Sequence, residues 1–321
     1  MTRCNHAVLP WFLALALGPG CGPPVLEARA PEAPAPAVAG VRHETGFVSG
    51  AGGVMLFEQS WHPTGEARAV LVIHHGLKSH SEHYAELANR LALRGYAVYA
   101  LDMRGHGRSA GRRASLDDFE DLVTDFGALV DRVRARESGR PVFVMGHSVG
   151  GAVVTLYTLE RRPPLAGLIV LAPAIRVDRM PLEAGATPLV ATLLPNLPVV
   201  DVPDEAFSRS PEVVREMGAD PLVYHPPGPA RTAAGLLEAL ETIWRRADEL
   251  DVPLLALHGT ADEATDPRGS VELVRRARSP DRTLLLYRGL RHDLVREPER
   301  EQVMEDLEQW LDRHAPGGSN R

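Results

Sequence analysis

Pro141-Val142-Phe143-Val144-Met145-Gly146-His147-Ser148-Val149-Gly150-Gly151-Ala152-Val153-Val154 is the stretch whose reading decides the fold. Pro141 to Met145 is a short apolar run, which predicts a strand buried on both faces. Val149 to Glu160 has the composition and length of a helix. The turn between them, Gly146-His147-Ser148-Val149-Gly150, fits G-x-S-x-G. Each part of that pattern serves a nucleophile. A serine on a tight strand-to-helix turn stands clear of the sheet. The turn crowds its neighbours, so the positions two before and two after must be small, and both are glycine. The helix that starts here aims backbone N–H groups at the hydroxyl and favours negative charge beside it. The plain alternative is a glycine-rich turn with a capping serine. The strand before it and the helix after it speak against that.

Working outward, the same alternation continues. Ala69 to His74 (AVLVIH) is another uninterrupted apolar run. Glu82 to Arg94 places Tyr84, Leu87, Ala88 and Leu91 at helical spacing, Gly95 ends that helix, and Tyr96 to Leu101 is the next strand. Leu116 to Arg136 reads as a long amphipathic helix. Gly46 to Ser60 reads as a hairpin that turns at SGAGG. Downstream, Leu165 to Leu171 is a strand, and then the pattern breaks at Pro173. Residues 174–247 carry many prolines and several short helical patterns. Alternation resumes with strand Pro253–His258, helix Pro267–Ala277, strand Thr283–Tyr287 and helix Glu299–His314. Strands alternating with helices predict an α/β fold, a mostly parallel central sheet with helices on both faces. Its core is residues 41–173 and 248–316, and residues 174–247 form an inserted helical cap. Ligand sites in such sheets lie at the carboxyl ends of the strands, where the insertion hangs.

Two loops at those ends supply the partners of Ser148. An elbow of this kind is followed in the chain by an Asp or Glu and then a His. Asp262 follows strand Pro253–His258 in HGTADEATDP, and His292 follows strand Thr283–Tyr287 in YRGLRHDLVRE. His292 would take the serine proton, and Asp262 would hold the imidazole. Asp266 is the rival acid, but Asp266-Pro267 reads as a helix cap with proline in the first position. Asp281 and Asp293 are further rivals. The oxyanion donors expected are the N–H of Val149, after the nucleophile, and that of Leu77 in the loop His75-Gly76-Leu77-Lys78-Ser79-His80-Ser81. His75, His80, His106 and His147 read as hydrogen-bonded supports.

HGLKSHSEHY, DMRGHGRS, GHSVGG, GTADEATDP and GLRHDLVRE, in this order, resemble the monoacylglycerol lipase and lysophospholipase branch of the α/β-hydrolases. The resemblance covers about Arg42 to His314, and Asp220-Pro221-Leu222 late in the insertion shares it. It implies a cap over the site and hydrolysis of a lipid ester, monoacylglycerol to fatty acid and glycerol, through an acyl-enzyme on Ser148. It implies no metal and no cofactor. A lysophospholipase or acyltransferase with the same triad is the alternative. A non-catalytic binding protein on the same fold is a remoter one, since fold does not fix function.

Residues 1–40 do not read as part of the fold. Ala7 to Gly18 is an apolar run of signal-peptide length, too short to span a bilayer. GPGCGPP after it resembles a bacterial lipoprotein signal, which makes Cys21 a lipidation candidate. Cleavage after Ala30 and an uncleaved anchor are the alternatives. The expectation is an exported protein, with residues 1–20 as signal, residues 21–40 as a Pro/Ala-rich tether, and a membrane surface as partner. Ala184 to Val200 (AGATPLVATLLPNLPVV) holds no charge and is broken by three prolines. It reads either as an apolar lid rim that touches lipid or as an inward helix that closes the cap.

Composition narrows the remaining classes. A net charge of −7 over 321 residues, with no long basic run, gives no electrostatic reason to bind nucleic acid. Both cysteines, Cys4 and Cys21, lie in the first segment, so the body has no disulfide framework and no cysteine nucleophile. No Cys/His run has zinc-ligand spacing.

Overall fold

The computed structural model describes residues 23–32, 36–115, 118–177 and 187–316. The hairpin comes first. β1 (Val41–Ser49) and β2 (Met55–Pro63) pair antiparallel around a 3₁₀ turn at Ala51–Gly53. Gly52 and Gly53 have φ of 65° and 76°, where a side chain would be strained. Strands and helices then alternate: β3 (Ala69–His74), α1 (Ala85–Leu93), β4 (Tyr96–Leu101), α2 (Phe119–Arg136), β5 (Val142–His147), α3 (Val149–Arg161) and β6 (Gly167–Leu171). The insertion carries α4 (Thr187–Leu193), α5 (Pro211–Ala219) and α6 (Ala230–Arg246). β7 (Leu254–Gly259), α7 (Pro267–Arg276), β8 (Arg282–Tyr287) and α8 (Arg300–His314) complete the core.

The eight strands form one sheet in the order β1-β2-β4-β3-β5-β6-β7-β8. β2 is antiparallel to both of its neighbours, and all the other pairings are parallel. Alternation along the strands splits the core into two. In β3, Val70 and Val72 face α2 and α3, while Ala69, Leu71 and Ile73 face α1 and α8. Every residue of β3 is buried, as a strand covered on both sides requires.

Element ends differ from the sequence reading for local reasons. The helix expected from Glu82 begins as a 3₁₀ turn, Ser81–Tyr84, and turns α-helical at Ala85. The helix expected from Leu116 is described as α2 from Phe119, where the Asp118 carboxylate caps it and accepts the Glu120 N–H at 2.9 Å; Leu116 and Asp117 lie outside the described residues. In the insertion, the sequence shows only short helical patterns, yet α6 runs 17 residues and packs on α3 and α4.

The uncharged stretch is described from Thr187 onward, and Ala184 to Ala186 lie outside the described residues. α4 divides the two readings by side chain. Val190, Ala191 and Leu197 pack on a small cluster of Val199, Ala230 and Ala233. Leu189 and Leu193 are 63% and 68% exposed, and Leu194 is exposed beside them. No described helix is long and apolar enough to cross a membrane. The stretch expected as a tether is bonded to the body over part of its described length. Val25–Leu26 pairs antiparallel with Gly111–Arg112, the Arg113 N–H donates to Pro24 O at 2.8 Å, and the Arg29 N–H donates to Arg108 O at 3.0 Å. Cys21 and the apolar run before it lie outside the described residues.

Candidate active site

The turn from β5 to α3 is held by contacts that leave no room for side chains. A Cβ on Gly146 would lie 2.2 Å from Gly150 O, and one on Gly150 would lie 2.3 Å from His74 O. Ser148 has φ 55° and ψ −124°, a conformation that costs about 1–3 kcal/mol and persists only where its surroundings enforce it. They do so through the backbone. The Ser148 N–H donates to Leu171 O at 3.0 Å, and Ser148 O accepts from the Gly151 N–H at 2.9 Å and the Ala174 N–H at 2.8 Å. The elbow is thereby tied to β6 and to the first residues after it.

Asp262 and His292 meet across two loops. The His292 Nδ1–H donates to Asp262 Oδ2 at 2.8 Å, which leaves Nε2 free to accept a proton. Asp262 Oδ1 accepts the Ala264 N–H at 2.8 Å and the Thr265 N–H at 2.9 Å. The Thr265 hydroxyl lies 2.9 Å from Oδ2. Burial works against the Asp262 charge, but the His292 imidazole and hydrogen bonds from His258 and His292 hold the carboxyl far below the ordinary carboxylate range. Ser148 and His292 line one cavity, together with Leu77 and Val149.

Leu77 approaches Ser148 because Gly76 has no side chain; a Cβ there would lie 2.6 Å from Ser148 Cβ. Among the described residues, neither the Leu77 nor the Val149 N–H donates a hydrogen bond to the protein. Two unpaired donors beside a serine, one of them in the first turn of a helix, suit an oxygen that gains negative charge.

The rival acids are occupied elsewhere. Asp266 caps α7 by accepting the Arg268 N–H at 2.8 Å, with Pro267 in the first turn. Asp281 pairs with His314 at 2.7 Å, and Asp293 faces Arg296 at 3.6 Å. The other histidines are supports. His75 Nδ1–H donates to Gly76 O at 2.6 Å, and its Nε2 accepts the Met103 N–H at 2.8 Å. The His106 Nδ1–H donates to Arg104 O at 3.0 Å. The His147 Nε2–H donates to His292 O at 3.1 Å, and burial first, then the neighbouring His292, pushes its pKa down to about 4.

His258 is a member of the site that the sequence reading did not single out. Its Nε2 lies 3.1 Å from Asp262 Oδ2 and its Nδ1 lies 2.7 Å from Ser270 Oγ, so Asp262 faces two imidazoles. The signal was its place at the end of β7, four residues before Asp262.

A second polar group lies off this centre. Ligand-type atoms of His80, His83 and Asp220 are within 4.8 Å of one another, a set hidden in the sequence because Asp220 sits in the insertion. The His80 Nε2–H donates to Asp220 Oδ2 at 2.8 Å, tying the loop after β3 to the cap. Among the described residues, the buried His80 Nδ1 has no partner and so no outer hydrogen bond of the kind that orients a metal-ligating imidazole.

The cavity above Ser148 holds about 880 Å³ of free space, counting its open mouth. Val177, Val200, Val202, Phe207, Tyr224 and Leu236 give it an apolar wall. Phe207 packs edge-on against the His292 ring, with centroids 5.3 Å apart.

Comparison with known proteins agrees with this geometry. The Hydrolase_4 family, described as serine aminopeptidase, S33, matches residues 65–299. The monoacylglycerol lipase of Mycolicibacterium smegmatis is 36% identical over 279 residues, 86% of this chain and 99% of that one. The monoglyceride lipase of Homo sapiens is 34% identical, covering 81% of this chain and 88% of its own. Among solved structures, the Paleococcus ferrophilus monoacylglycerol lipase superposes with a TM-score of 0.72 at 28% identity, over 81% of this chain and 99% of that one. With its elbow, its sheet order and these relatives together, the chain belongs to the Hydrolase_4 family of α/β-hydrolases and is a carboxylic ester hydrolase.

Proposed function

We propose that the protein hydrolyses monoacylglycerols, with Ser148, His292 and Asp262 as its catalytic triad. The observation that carries this is the apolar cavity walled by the cap above Ser148, which suits one acyl chain; among the described residues, Lys78 is the one lysine or arginine in its lining. Ser148 Oγ attacks the ester carbonyl carbon while His292 Nε2 takes its proton. The carbonyl oxygen becomes an oxyanion held by the N–H groups of Leu77 and Val149. As the C–O bond to glycerol breaks, His292 returns the proton to the leaving oxygen. Water then attacks the acyl-enzyme with His292 again as base, and fatty acid leaves. Asp262 keeps the proton on Nδ1 and stabilises the imidazolium.

A panel of monoacylglycerols, lysophospholipids and short p-nitrophenyl esters tests the reading. Monoacylglycerols should give the highest kcat/KM. A preference for lysophospholipids, or transfer to an added alcohol in place of hydrolysis, would replace it with the lysophospholipase or acyltransferase reading.

The location proposed is the outer side of a membrane, with Cys21 lipidated. The apolar run Ala7–Gly18 followed by Gly20-Cys21 supports this. Two acyl chains anchor stably, because each buried CH₂ contributes about 0.8 kcal/mol. Cys21→Ser should move the protein from the membrane to the soluble fraction, or leave it unprocessed, with activity on a soluble ester unchanged. A mature N-terminus at Pro31, or a free thiol at Cys21 in membrane-bound protein, would count against the anchor alone.

A further inference from the structure

Lys78 has φ of 55°, one of the few non-glycine residues in the left-handed region, and it directly follows Leu77. A Cβ is disfavoured there, so something must hold the residue in place. The hold comes from the cap. Lys78 Nζ donates to Val202 O at 2.8 Å and lies 2.5 Å from Asp204 Oδ1, with both side chains largely shielded from water. The same cap segment reaches the other half of the catalytic centre. Phe207 packs on the His292 ring, and its carbonyl accepts the Asp293 N–H at 2.8 Å. Residues 202–207 therefore touch the oxyanion loop at one end and the histidine loop at the other.

We infer that Lys78 is a positioning residue, whose clasp on Val202 and Asp204 sets the place of the Leu77 N–H relative to Ser148. The inference rests on Leu77 being an oxyanion donor. Without the ammonium, the backbone at residue 78 can leave its strained conformation; the Leu77–Lys78 peptide turns with it, and the Gly76–Leu77 peptide next to it, which carries the Leu77 N–H, loses its fixed place. The loss falls on the transition state, where the oxyanion exists, and substrate binding in the apolar cavity is spared.

The test uses the whole protein, a soluble p-nitrophenyl ester and a trifluoromethyl ketone, whose adduct with serine carries an oxyanion. Lys78→Met keeps the stem and removes the charge. Its kcat should fall roughly 10- to 100-fold, short of the on the order of 10²- to 10³-fold loss of a whole donor, with KM within about twofold. Affinity for the ketone should fall in step with kcat. Lys78→Arg should recover most of both. Asp204→Asn should show a smaller drop of the same kind, and the double variant should be no worse than the worse single. Lys78→Gly accepts the left-handed conformation and guards against a variant that fails to fold. Wild-type kcat and ketone affinity in the Met variant would overturn the clasp, and a Gly variant that keeps more of both than the Met variant would support strain at residue 78 as the cause of the loss. An inactive wild type would instead remove the hydrolase reading and the clasp with it.

Discussion

The triad loops and the cap are built by different means. Around Ser148 and Asp262, position is set by backbone: glycines that admit no Cβ, N–H groups that reach one carboxylate, and strand ends that pair in register. In the cap, position is set by side chains from distant segments, such as Lys78 on Asp204 and Arg113, whose guanidinium donates to Leu222 O at 3.0 Å. The first arrangement leaves no room for added side chains. The second can be altered residue by residue. The two meet at residues 202–207, where the cap touches the loop of Lys78 and the loop of His292.

Variants can break that contrast, and the largest effect belongs to the nucleophile. Ser148→Ala should lower kcat on the order of 10⁶-fold in a normally folded protein, because triad members act as a unit. Near-normal turnover in that variant would move the chemistry away from the elbow. Asp262→Asn should cost on the order of 10⁴-fold, by mis-setting the His292 tautomer. Asp266→Asn should be close to neutral, since Asn also caps helices well. Titrating both variants against one ester separates them, and a dead Asp266 variant would reverse the assignment. Gly150→Ala should destabilise the fold by more than the ~1–3 kcal/mol of ordinary overpacking, because the new Cβ meets the backbone oxygens of His74 and His75. Urea unfolding measures it, and an unchanged midpoint would show the elbow to be looser than described.

The smallest effect should come from the cap surface. Leu189→Ser with Leu193→Ser removes two exposed leucines from α4 while leaving Val190 and Ala191 on the inner cluster. Hydrolysis of an emulsified monoacylglycerol should fall several-fold, and hydrolysis of a soluble short-chain ester should not. Equal loss on both substrates would make those leucines part of the fold rather than a lipid contact.

The same contrast explains what could be read from the sequence. Strand and helix alternation, the G-x-S-x-G turn and the placement of Asp262 and His292 after two strands are local patterns, and each survives translation into structure. Leu77 and Val149 line the cavity beside Ser148, where the loop and the elbow lead one to look for backbone donors. His258 was missed because its role depends on Asp262 curling back over the end of β7, a loop shape no periodicity reveals. Lys78 was missed because its partners sit more than 120 residues away in the chain. The sequence shows α6 only as fragments, because the helix packs on α3 and α4, which lie far from it in the chain.

The N-terminal pairing has a consequence of its own. Val25 is the fourth residue after Cys21, and it is already bonded to the loop at Arg112. That loop is the shelf on which the cap rests: Arg113 holds Leu222 O, and the Thr232 hydroxyl donates to Ala114 O at 3.0 Å. Fully extended, four residues reach roughly 14 Å. With acyl chains on Cys21, the body could not drift on a twenty-residue float line. It would be moored by the bow, close in and with the cap side held near the bilayer. The mooring would then act as a compass as well as an anchor, setting which face of the enzyme meets the lipid at every encounter.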